Sequence, residues 1–174
     1  LIEDLVQDPS DDVKISLIRY HNIGKFIKNI DHLIENSGIE VKRALSGFYY
    51  LPESAVHRLI NYNDETITAN ILKHHNCAKM LTRSQIANLA RNKSDKIRLS
   101  LVKSSGIILD KDLIILLARD NNKEVRSSIY RKYDLPEEVE EKYHEEKRIE
   151  LELDLAQHKF IESKKQESDF IKYI

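Results

Sequence analysis

The chain has 174 residues, with 28 Lys and Arg against 29 Asp and Glu, so its net charge of −1 points to no partner class. Hydrophobic residues make up 41% and charged residues 33%, while four Gly and three Pro are too few for the turns of a β-sandwich or barrel. A single cysteine, Cys77, excludes a disulfide framework and a cysteine-built metal cluster, and no apolar run reaches the roughly 18 residues of a membrane span. No secretory leader is visible, so the expected location is cytoplasmic. The chain begins at Leu1, which predicts a piece of a longer protein.

A repeat organises the first three quarters of the chain. Anchor leucines stand at Leu5, Leu33, Leu59, Leu89 and Leu117. Three residues before them lie Ile2, Ile30, Val56, Ile86 and Ile114, and one residue after them Val6, Ile34, Ile60, Ala90 and Ala118. Eight residues after each anchor comes Val13, Val41, Ile67, Ile97 or Val125. Four further on lies Leu17, Leu45, Ile71, Leu101 or Ile129, and six beyond that Ile23, Leu51, Cys77, Ile107 or Leu135. Offsets of three and four place residues on one helical face. Each unit therefore reads as two short helices of about nine or ten residues, too short to be stable unless stacked on neighbours.

Local signals mark the helix starts. Before the second helices stand Ser10, Gly38, Asp64, Ser94 and Asn122, all favoured N-cap residues. An acid follows in each first turn, at Asp11 and Asp12, Glu40, Glu65, Asp95 and Glu124, where it suits the helix dipole. Pro52 fits the first position of a first helix, and Thr82 with Gln85 reads as a capping box.

The segments Leu-Val-Gln-Asp-Pro-Ser-Asp-Asp-Val-Lys-Ile-Ser-Leu (5–17) and Leu-Ala-Arg-Asp-Asn-Asn-Lys-Glu-Val-Arg-Ser-Ser-Ile (117–129) carry a resemblance. They resemble HEAT-like and armadillo-like α-solenoids, and more closely the leucine-rich repeat variant proteins. The resemblance implies an all-α, right-handed α-α superhelix of about five two-helix repeats over residues 1–135. The middle units depart from the family pattern: Tyr62 replaces its Asp or Asn, and Thr68 its basic residue. The resemblance also implies that the second helices line a concave face that binds a partner.

After Asp134 the pattern breaks. With Pro136 at its opening and no later Gly or Pro, one long charged helix is predicted from about 136 to 166, within a C-terminal segment of 136–174. Val139, Tyr143, Glu146, Ile149, Leu153, Ala156 and Phe160 give an apolar stripe with one polar break. It reads as a cap over the last repeat or as a dimerisation arm. Residues 135–174 hold 12 acids and 7 bases, against 17 and 21 in residues 1–134, so the neutral total hides two opposite parts.

The second helices are depleted of acids. Residues 13–22, 41–50, 67–76, 97–106 and 125–134 hold one acid, Asp134, where the average frequency would give about eight. The bases include Lys14, Arg19, Lys42, Arg43, Lys73, Arg98, Lys103, Arg126 and Arg131, concentrated in two columns. One column follows the Val or Ile (Lys14, Lys42, Thr68, Arg98, Arg126); the other lies five further on (Arg19, Gly47, Lys73, Lys103, Arg131). Two readings compete: a basic partner-binding strip, or a ladder in which the first column meets the turns at Asp8, Asn36, Asn92 and Asp120. The helix dipole alone accounts for bases in the last turn. A ring column, His21, Tyr49, His75 and Tyr133, lies beside the bases and suits either stacking on nucleic-acid bases or packing between units.

No phosphate loop, nucleophile elbow or metalloprotease motif is present, so no residue is assigned a catalytic role and no metal or cofactor is expected. A HEAT-like DNA glycosylase is a remote relative by resemblance, but its groove uses Trp and this chain has none. The expected function is a non-enzymatic scaffold that binds a protein partner, with nucleic-acid binding through the basic strip as the alternative.

Overall fold

The computed structural model describes residues 2–21 and 27–171, without the side chains of Ile27, His75 and residues 166–171. Among the described residues there are twelve α-helices and no strand. The chain divides into two compact units, Leu1–Lys132 and Tyr133–Ile174.

In the first unit, the first helices of the repeats are α1 (Ile2–Val6), α3 (Ile30–Glu35), α5 (Glu53–Ile60), α8 (Arg83–Ala90) and α10 (Lys111–Ala118). The second helices are α2 (Asp11–Tyr20), α4 (Ile39–Ser46), α6 (Glu65–Lys73), α9 (Asp95–Lys103) and α11 (Lys123–Lys132). A one-turn helix, α7 (His75–Ala78), follows α6. The first helices have five, six or eight residues, shorter than the repeat spacing predicts. Each packs against its own second helix, as in α1 on α2 and α10 on α11. Second helices also pack in sequence: α2 on α4, α4 on α6, α6 on α9, α9 on α11. Helices this short gain most of their stability from such packing.

The six hydrophobic columns supply the packed surfaces. Every one of their described members is buried or half-buried; Ile23 lies outside the described residues. Leu33, Leu45, Leu59, Ile71, Leu101, Leu117 and Ile129 are fully enclosed. Burial of such side chains is worth about 1.5–3 kcal/mol each before entropy is set against it. Cys77 takes the place of an Ile or Leu in its column, and its thiol lies 3.5 Å from the Tyr49 carbonyl oxygen.

The caps match the predicted starts unevenly. Thr82 and Gln85 form the reciprocal capping box. Asp64 accepts from the amides of Thr66 and Ile67 at 3.0 Å each, and Asn122 accepts from those of Glu124 and Val125. Ser10 and Ser94 stand at N-caps without a side-chain cap bond. Pro52 occupies the N-cap of α5, one residue earlier than the position predicted for it.

In the second unit, α12 (Glu137–Ile171) is a single helix of 35 residues that runs past the predicted end near 166. Val139 is buried and Tyr143 half-buried, whereas every residue from Leu151 to Lys165 is exposed. The apolar stripe is therefore open at Ile149, Leu153 and Phe160.

Candidate interaction face on the second helices

The first basic column is built into the stack. Lys14 is 4% exposed and Lys42 6%. The Lys14 ammonium donates to the Asn36 carbonyl of the next unit at 3.2 Å and lies 3.8 Å from Asp11. The Lys42 ammonium donates to the Ser37 carbonyl and sits over the Tyr62 ring, 5.0 Å from its centroid. Burial pushes Lys42 below the usual lysine range; Asp11 opposes that shift and Lys14 adds to it. Tyr62 thus occupies the ladder position that Asp or Asn would hold elsewhere. Thr68, fully buried, has a hydroxyl with no partner.

Arg98 completes the ladder with the strongest link. Its Nε and Nη2 donate to the two Asp120 carboxylate oxygens at 2.5 and 2.8 Å. Its Nη1 donates to the Asn92 and Lys93 carbonyls in its own turn. Arg126 repeats the second half of that arrangement, donating to the Asp120 and Asn121 carbonyls. Burial alone would raise the Asp120 carboxyl. The Arg98 hydrogen bonds, the Asn122 amide and the charges of Arg98 and Arg126 outweigh it and hold the group below the usual carboxylate range.

A second ladder links the helix starts, and it was not foreseen from the sequence. The Gly38 amide donates to Asp11 at 2.9 Å, Ser94 Oγ to Glu65 at 2.6 Å, and Asn122 Nδ2 to Asp95 at 2.6 Å. Between α4 and α6 the link is Arg43, which bonds Glu40 in its own helix and both oxygens of Asp64 in the next unit. The first-turn acids therefore do more than favour the dipole: Asp11, Glu65 and Asp95 reach the N-cap of the following second helix directly, and Glu40 does so through Arg43. The available signal was their recurrence one unit before each cap.

The second basic column is the open one. Arg19, Lys73, Lys103 and Arg131 are exposed, and only Arg131 has a bond, to the Ser127 carbonyl of its own helix. The acid-poor face thus contains two kinds of base, of which the four in this column are available to a partner. Of the predicted rings, Tyr49 is half open and packs edge-on against Tyr50 and His74, at centroid distances of 4.6 and 5.6 Å. His21 and Tyr133 are half-buried at the ends of α2 and α11, and the His75 side chain lies outside the described residues.

A groove of about 540 Å³ runs across α2, α4 and α6. Ile15, Ala44 and Phe48 give it apolar surface; Arg19, Glu40, Arg43, Thr66 and Asn70 give it polar groups of both signs. Sequence reasoning directed at the bases missed this groove. Two of its lining residues, Ala44 and Asn70, belong to a column of small or amide residues (Ser16, Ala44, Asn70, Ser100 and Ser128) three after each Val or Ile.

Among the described residues no three His, Cys, Asp or Glu stand together as a group that could hold a metal ion, and no helix is long and apolar enough to cross a membrane. No protein-family model, curated protein or solved structure matches the chain.

Proposed function

We propose that the repeat unit is a non-enzymatic interaction module of the HEAT-like, right-handed solenoid kind, and that it binds an extended polypeptide along its second helices. The observation that supports this reading is the mixed lining of the groove over α2, α4 and α6. Apolar patches at Ile15, Ala44 and Phe48 beside Glu40 and Arg43 suit side chains and backbone amides. A polyanion would instead meet an acid there, and the first basic column is already engaged by turns of its own and the next unit. The consecutive packing of the second helices, with α3 on α5 and α8 on α10 among the first helices, supports the solenoid reading.

The test is selection of peptides from a random displayed library on the full chain, with Thr66→Arg as the counter-target. Thr66 is exposed in the groove, so the substitution blocks binding without opening the core. The expected result is peptides that bind the parent chain and lose at least about tenfold on the variant. Selected peptides that bind both chains equally would remove the groove from the reading.

One observation favours a second reading. Tyr20, Tyr49 and Tyr50 are 82%, 52% and 64% exposed, near the ends of helices that carry Arg19 and Lys73. Exposed rings beside bases suit single-stranded nucleic acid. Fluorescence anisotropy with labelled single-stranded and duplex DNA and RNA, at about 50 and 200 mM salt, separates the two readings. Micromolar, steeply salt-dependent binding that Lys73→Glu with Lys103→Glu abolishes would replace the polypeptide by a nucleic acid.

A further inference from the structure

We propose that α12 pairs with α12 of a second copy of this chain, in antiparallel orientation, through the segment 145–164. The open apolar stripe shows where a partner could lie; the charges beside it specify which partner and which direction.

Ile149, Leu153, Ala156 and Phe160 follow a four-three-four spacing, which is the spacing of a coiled-coil seam. In heptad terms, Ile149 and Ala156 take position d, and Leu153 and Phe160 position a. The seam is short, about 17 Å at 1.5 Å per residue. It ends at Glu146 and Ser163, which occupy the next seam positions on either side. Ile149, Leu153 and Phe160 are 48%, 60% and 64% exposed, so this chain leaves the seam uncovered. Leu151, Leu155 and Ile161 fall outside it.

The flanks of the seam carry ordered charge. On one side, at the g positions, stand Glu145, Glu152 and Lys159; on the other, at the e positions, Glu150, Gln157 and Lys164. Both flanks run from acid to base along the helix. In a parallel pair, the g flank of one helix faces the e flank of the other, five residues on. That would set Glu145 against Glu150 and Lys159 against Lys164, like charges in both places. Reversing one helix makes each flank face its own counterpart. With Ile149 set against Phe160, Glu152 stands nearest Lys159 of the second copy, and Glu145 and Glu150 lie about five residues' rise from its Lys159 and Lys164, the offset at which the two Glu152 also meet across the axis. Two-fold symmetry repeats each pair. The same reversal sets Ile149 against Phe160 and Leu153 against the small Ala156, so large residues meet smaller ones in each central layer.

The seam of two short layers per copy makes the association weak, and its test needs high concentration. Sedimentation velocity of the full chain from about 5 to 500 µM is expected to show a monomer–dimer equilibrium. Leu153→Glu, at an exposed site, is expected to leave the helical circular dichroism unchanged and to abolish the dimer. Lys159→Glu with Lys164→Glu, which makes every charged flank position acidic, is expected to raise the dissociation constant at least about tenfold. Mixing that variant with Glu145→Lys/Glu150→Lys/Glu152→Lys is expected to give a heterodimer tighter than either homodimer. Direction is read by spin labels on Glu138→Cys: about 50 Å between labels in the antiparallel dimer, against about 10–15 Å in a parallel one. A monomer at every concentration, a dimer that survives Leu153→Glu, or the short label distance would each overturn the proposal.

Discussion

Arg98 lies in α9 and Asp120 in the turn before α11, 22 residues apart in sequence, and they are joined by two parallel hydrogen bonds of 2.5 and 2.8 Å. Their side chains are 14% and 6% exposed. A fork-to-fork pair of this kind has strict geometry, so it fixes the register of one unit on the next as well as attracting it. Asp120 also accepts from the Asn122 amide at 2.7 Å, shaping the turn that leads into α11. One carboxylate thus serves both the turn and the joint between units.

Removing that carboxylate is expected to cost more than a surface pair. Asp120→Ala leaves a largely buried guanidinium without its partner and removes the turn bond, a loss of about 2–4 kcal/mol. Chemical denaturation of the full chain measures it. Asp31→Ala removes an acid that meets Arg58 on an exposed part of α3, and it should shift the midpoint far less. Equal losses at the two sites would show that the Arg98 link carries no special weight.

Acid should weaken the stack from the same places. Hydrogen bonds from Arg43 lead the causes that hold the Asp64 carboxyl below its usual range, against an opposing push from burial. Asp120 is held low as well, with burial opposing and the Arg98 and Asn122 bonds prevailing. A carboxyl with a depressed folded value binds its proton more tightly when unfolded, where the value is about 3.9. Its contribution is complete above that value and is lost as the pH falls through the lower, folded value. Thermal unfolding followed from pH 7 down to about pH 2.5 should therefore show stability falling below about pH 4. In Asp120→Asn the fall should be shallower. A wild-type curve that stays flat below pH 4 would contradict this assignment.

The fold was readable because burial imposes a period. Leu33, Leu59 and Leu117 recur with their flanking Ile, Val and Ala at helical spacing, and each is fully enclosed. The function of the bases was not readable in the same way. Lys14 and Arg19 are both single cations on α2, yet one is enclosed by the next unit and the other is open. A helical period places a residue on a face; it does not say whether a neighbouring turn will reach over it. The turn column Asp8, Asn36, Asn92 and Asp120 hinted at the outcome, and Tyr62 concealed it by offering a ring to Lys42 in place of an oxygen. Ser94 shows the same limit at a cap: its hydroxyl suits the helix start, but it donates its hydrogen bond to Glu65 of the preceding unit instead.

Cys77 should be unreactive in the folded chain. Its thiol is fully buried in a column of Ile and Leu, and burial pushes it above its usual value, so little thiolate forms and little reagent reaches it. A chromogenic disulfide reagent at pH 8 is expected to modify it at least about 100-fold more slowly than in denaturant. Fast modification of the native chain would mean that the joint between the second and third units opens readily.

Thr68 offers the clearest route to a more stable chain. Its neighbours in the column, Lys42 and Arg98, reach turn carbonyls or the next unit, but a threonine side chain is too short to do so. Its hydroxyl is enclosed without a partner and has lost its hydration for nothing in return. Valine keeps the branched shape and the χ1 preference while removing the oxygen. Thr68→Val is therefore expected to stabilise by about 1 kcal/mol, raising the melting temperature by about 3–5 °C. Differential scanning calorimetry decides it. A lower melting temperature would mean that the hydroxyl does have a partner, such as a trapped water, and that this position of the ladder is polar after all.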